Sequence, residues 1–130
     1  MNRKEQIIEK LVATKKWDAF SVELGIRARF KCEYCGKDMF ASVENYKEWT
    51  QNYIIPNSKG GIHSEENIAL ACRTCGYSIK NKWNPADHIK GESSRAALIN
   101  ATREHIAQQR KNLLEEILYF KSVINNIDGM

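Results

Sequence analysis

The chain has 130 residues, a formal charge of +4 and a pI near 8.9, with 42% hydrophobic and 28% charged side chains. That length suits one domain with a modest core, for which a metal staple would be a real gain in stability. No stretch approaches the roughly 18 to 20 apolar residues of a membrane span, and residues 1–10 lack the apolar run of a secretory signal, so a soluble, cytoplasmic protein is expected.

The pattern divides this single domain into three parts: a basic helical arm over 1–30, a central core over 31–85 and a helical region over 86–130. Residues 1–31 hold eight basic and four acidic side chains, whereas 32–85 and 86–130 each hold six of both, so the whole charge excess lies in the arm and Lys31 at its junction with the core. Such an arm suits phosphate contact, although a solvated helix face has the same composition. Within it Ile7, Ile8, Leu11 and Val12, then Trp17, Phe20, Leu24 and Phe30, recur at helical spacing and predict one or two helices.

The character changes from Lys31 to Pro85, where all four cysteines, both prolines and the β-favouring run Tyr53-Ile54-Ile55 are found. The cysteines form two C-x-x-C pairs, Cys32/Cys35 and Cys72/Cys75, with 36 residues between them. Each such pair can turn two sulfurs toward one point, and two pairs supply the tetrahedral thiolate shell of one structural zinc ion. Two disulfides are the other use of four cysteines, disfavoured without a secretory signal. Arg29, Lys31, Tyr34 and Lys37 crowd the first pair, and Arg73, Lys80 and Lys82 the second; they would either face nucleic acid or offset the thiolate charge.

Beyond Pro85, Ser93 or Ser94 can cap a long helix, broken at most once, whose apolar stripe runs from Leu98 to Ile124. Ile99, Ile106, Leu113 and Phe120 fall seven apart, a spacing that serves packing on the domain or a homodimer through this helix. The polar Thr102, Gln109 and Glu116 interrupt it.

Three segments together carry a family resemblance. They are Arg27-Ala28-Arg29-Phe30-Lys31-Cys32-Glu33-Tyr34-Cys35-Gly36, then Asn52-Tyr53-Ile54-Ile55-Pro56-Asn57-Ser58-Lys59-Gly60-Gly61, then Glu66-Asn67-Ile68-Ala69-Leu70-Ala71-Cys72, with Asn84-Pro85 after the last pair. In order, spacing and punctuation this resembles the zinc-stapled HNH endonucleases over about residues 27–85. The resemblance implies an α+β fold with a small ββα-metal core flanked by N-terminal helices and a long C-terminal helix; in that core one strand ends at Asn52-Tyr53, a loop carries Asn67, a second strand leads to the last cysteine pair and a short helix follows. It also implies a divalent ion such as Mg²⁺ between strand and helix, a histidine base, an aspartate and a helix residue as ligands, and a central asparagine that orients the base. Of these positions only Asn67 is retained. Asn52 replaces the aspartate, Tyr53 the histidine, and Gly76 the helix ligand.

A neutral amide holds a hard cation poorly, a phenol with a pKa near 10 is a weak base at neutral pH, and glycine offers no ligand. Loss of a general base alone costs about 10² to 10⁴-fold in rate. The expectation is therefore a degenerate HNH-like module that binds nucleic acid, double-stranded DNA first, with Lys59, Arg73, Lys80 and Lys82 on phosphates and cleavage lost or strongly weakened. An active enzyme using Tyr53 or a swung-in His63 is one alternative, and a protein-binding module or inhibitor on a relic fold is the other. His88 and His105 are expected as surface or packing residues.

Overall fold

The computed structural model describes residues 1–91 and 93–128. Helix α1 (Arg3–Ala13) starts on the Asn2 side chain, which accepts from the Glu5 N–H, and presents Ile7, Ile8 and Leu11 half-buried. Helix α2 (Ala19–Ala28) is capped by Asp18, whose carboxylate accepts from both the N–H and the hydroxyl of Ser21. The arm is thus two helices. Two successive left-handed residues, Arg29 and Phe30, both at φ 56°, then turn the chain into the first cysteine pair. A bridge between Lys31 and Asp38 closes that turn.

After the short helix α3 (Val43–Lys47), strand β1 (Trp49–Tyr53) pairs antiparallel with β2 (Ile68–Cys72), in a register that sets Asn52 opposite Ala69 and Tyr53 opposite Ile68. Every residue of β2 is buried. The strand ends at Tyr53, where the resemblance implies that it should, although the β-favouring run continues to Ile55. The reason is local: the Asn67 side chain takes both backbone groups of Ile55, accepting from its N–H at 2.8 Å and donating to its carbonyl at 3.0 Å, and Pro56 has no N–H to give. A seven-residue helix, Thr74–Lys80, wound with π-type hydrogen bonds, follows the second cysteine pair and completes the ββα core.

Helix α4 (Arg95–Asp128) runs unbroken, with Ser94 accepting from the Ala97 N–H at its start. Its first half lays Leu98, Ile99 and Ile106 on the core formed by Met39, Ile54, Leu70 and the cysteines. Each such aliphatic side chain contributes roughly 1.5 to 3 kcal/mol by leaving water. Thr102, a polar interruption of the stripe, is fully buried and donates its hydroxyl to the Leu98 carbonyl, so it interrupts nothing. From Lys111 to Ile127 every residue is exposed, and Leu113 and Phe120 retain 45% and 52% of their surface. The seven-residue spacing therefore serves core packing in its first half only.

Glu33, inside the first C-x-x-C, ties these parts together. Its carboxylate pairs with Arg27 at 2.9 Å and Arg95 at 3.0 Å and accepts from the Leu70 N–H, while the Arg103 guanidinium reaches its carbonyl. Arm, strand and α4 meet on one residue.

Candidate metal centre and nucleic-acid interface

The sulfurs of Cys32, Cys35, Cys72 and Cys75 all lie within 4.8 Å of one another, contributed by the two turns that bracket β1 and β2. All four cysteines are free, and Cys35 and Cys72 approach to 3.8 Å, far from the roughly 2.05 Å of a disulfide. Tetrahedral thiolates at about 2.3 Å from one ion stand about 3.8 Å apart, so the donor set fits a closed four-sulfur metal site. Within each pair a backbone N–H points back at the first sulfur, Cys35 to Cys32 and Cys75 to Cys72, both at 3.4 Å. Contacts among the thiols draw Cys32 and Cys35 down to about 6 and Cys72 to about 7, and the same contacts push Cys75 up.

The cation nearest the sulfurs comes from α4. Arg110 donates to Cys75 at 3.2 Å and stands 3.9 Å from Cys72. Sequence reasoning looked for such cations beside the cysteines and missed it, although a basic residue four after Ile106 on an apolar stripe is a legible signal. Glu48 was also missed, and it links the two cysteine turns. Its carboxylate accepts from Lys37 at 2.6 Å after the first pair, and from the hydroxyl and N–H of Thr74 in the second. The Lys37 hydrogen bond, reinforced by Thr74, holds the Glu48 carboxyl down at about 2.

The positions matching the HNH pattern meet different neighbours. The Asn52 oxygen accepts from the buried Tyr34 hydroxyl at 2.8 Å, and its amide nitrogen faces the Gly76 carbonyl at 3.4 Å. Burial drives the Tyr34 phenol well above its ordinary pKa, so it stays a donor. A Cβ at Gly76 would lie 3.2 Å from the Asn52 amide nitrogen and 3.5 Å from the Ala71 methyl, so little space separates strand and helix there. The Tyr53 hydroxyl instead meets Nδ1 of the exposed His63 at 3.2 Å, and that imidazole also lies against Phe20. Asn67 orients no imidazole; besides holding Ile55 it donates to the Ile62 carbonyl. Gly61 is required beside it, because any Cβ there would collide with the Ile55 carbonyl.

Among the cations, Lys59, Arg73 and Lys82 are exposed, and the Arg73 guanidinium rests 5.0 Å over the Tyr77 ring. Lys80 is 1% exposed, and its ammonium donates to the carbonyls of Tyr53 and Trp83, both at 3.0 Å. It is therefore a strut between strand and helix, without access to a phosphate. Burial lowers its pKa to about 8. His88 and His105 both stack on Trp83, at 4.7 Å and 4.1 Å.

Residues 32–82 match the family model described as HNH endonuclease, a span from the first cysteine to just past the π-wound helix. No curated protein and no solved structure matches the chain. No helix among the described residues is long and apolar enough to cross a membrane.

Proposed function

We propose that this chain, whose residues 32–82 are HNH-like, is a zinc-stapled module that binds nucleic acid, double-stranded DNA first, and whose metal-dependent cleavage is lost or strongly weakened. One observation carries the loss of cleavage: the Asn52 amide is engaged on both sides, by Tyr34 and by Gly76, where an HNH enzyme needs a charged ligand facing a helix ligand. Zinc on the four cysteines supplies folding free energy, about 10 to 16 kcal/mol in small zinc peptides, which matches or exceeds the whole net stability of a typical domain. Free thiols around one site suit a reducing, cytoplasmic setting.

Phosphate contact is assigned to Lys59, Arg73 and Lys82 with the arm cations. Engagement of about three to five phosphates gives a slope of log K against log salt of about −3 to −5 without any divalent ion. Charge reversal at Arg73 and Lys82 should weaken binding to all duplex sequences alike, since such contacts position the backbone and do not read bases. A mobility-shift titration over salt tests this, and no shift at low salt would end the nucleic-acid reading.

The contact between Tyr53 and His63 favours one second reading, a residual nuclease in which the imidazole polarises the phenol. Mg²⁺-dependent nicking abolished by His63→Ala would decide for it. The exposed stripe on α4 is assigned to association with a second copy: Leu113, Ile117, Phe120, Ile124 and Ile127 alternate by four and three, the self-complementary spacing of a two-helix seam.

A further inference from the structure

We infer that the cleft between α2, α3 and β1 takes an unstacked nucleobase from a single strand of nucleic acid, with the neighbouring phosphates on Lys16 and Lys47. The cleft has a volume of about 360 Å³, within the range of sites that hold a nucleotide-sized ligand. Its walls are aromatic. Trp17 and Trp49 stand 4.8 Å apart at 85° in a cluster with Phe40, which lies near-parallel to Trp49 at 6.0 Å. The base is therefore placed on Trp17, where it meets Trp49 edge-on, and Tyr46 lines the opening. Lys16 and Lys47 flank those rings, both exposed, and neither forms an ion pair among the described residues. Aromatic faces with cations beside them are the two parts of a single-strand platform, and a paired base in a duplex could not enter a corner of this kind.

The polar lining indicates which base edge fits. Ser21 donates its hydroxyl to Asp18, so it must accept from Gln51, whose amide nitrogen lies 2.8 Å away. This chain fixes the Gln51 amide with its nitrogen engaged, and its oxygen accepts nothing among the described residues. Together with the Asp18 carboxylate the cleft thus offers acceptors and favours a base with an exocyclic amine, such as cytosine, over thymine. Of the residues assigned to duplex binding the inference shares only Lys16, an arm cation, and the variants at Arg73 and Lys82 separate the two sites.

Tryptophan fluorescence reads the site directly, because two of the three tryptophans form it and the third, Trp83, is stacked on histidines elsewhere. Twelve-residue oligodeoxycytidine should quench the emission saturably, and the oligothymidine should bind more weakly. The mononucleotide dCMP, lacking flanking phosphates, should bind more weakly still. Trp17→Ala should weaken binding about tenfold or more. Because that variant removes part of an aromatic cluster, the surface double variant Lys16→Glu/Lys47→Glu is the companion: it should keep the circular dichroism spectrum and lose about tenfold. Quenching should survive charge reversal at Arg73 and Lys82. Absence of quenching by oligodeoxycytidine, an unaffected lysine double variant, equal affinity for dCMP and the oligomer, or loss of quenching on reversal at Arg73 and Lys82 would each overturn the assignment.

Discussion

Arg110 and Lys80 are both cations in desolvated settings, yet they act in opposite senses. Arg110 puts its charge on the sulfurs of Cys72 and Cys75, where a thiolate shell leaves net negative charge to offset. Arg110→Leu, which keeps a packing side chain, should lower metal retention against a chelator about 10-fold or more, and a competition titration would measure it. Lys80 is buried away from water, and two carbonyl hydrogen bonds do not make up for the lost hydration of its charge, so its pKa falls from 10.5 to about 8. Between those two values the unfolded chain holds a proton that the folded one has released. Stability from this residue therefore rises with pH from about 8 to about 10.5, by at most about 1.4 kcal/mol per unit. Lys80→Met should abolish that rise in melting temperature while lowering stability throughout, because two carbonyls lose their donor. An unchanged pH profile in the variant would show that Lys80 titrates normally.

At the scale of elements, the sequence made the two cysteine turns, both strands flanking them and α4 legible, because each carries its own signal in spacing or periodicity. The end of β1 was legible only through the family resemblance, at Asn52-Tyr53, and not from the local pattern. It depends on Asn67, twelve residues after the Ile55 that it holds, and no local pattern announces a side chain that replaces a ladder partner. Likewise Tyr34 was visible as an aromatic beside a cysteine, but its bond to Asn52 spans 18 residues. That bond and the 3.2 Å approach at Gly76 bear on restoring the HNH residues. Asn52→Asp sets a carboxylate against the Gly76 carbonyl, and Gly76→Asn crowds the same gap. The triple variant with Tyr53→His should accordingly melt lower than wild type and be raised by millimolar Mg²⁺, with nicking above background. A wild type raised equally by Mg²⁺ would show that the native site already holds the ion. Beyond Arg110, α4 leaves the domain with its apolar face open. Phe120→Lys, at the centre of that seam, should shift sedimentation equilibrium from dimer toward monomer without loss of helical signal.

For the whole molecule, the described architecture is a small core clamped from both sides. Glu33 joins the arm and α4 to the first cysteine turn, Glu48 joins that turn to the second, and Arg110 closes α4 over the sulfurs. Elements with few apolar contacts of their own, such as α1 with no buried residue, rely on that centre. Removing the metal should consequently unfold the core as a unit, with loss of near-ultraviolet signal after chelation and recovery on adding one equivalent of Zn²⁺. The proposed function holds that this scaffold keeps the HNH-like frame without the ion that cleaves. Plasmid nicking is the direct test, measured over a titration of Mg²⁺ and Mn²⁺ on protein whose zinc content is determined on the same sample. About one zinc per chain is expected, with nicking at or near background at every divalent concentration. Nicking at a rate typical of nucleases, from protein with its zinc in place, would contradict it.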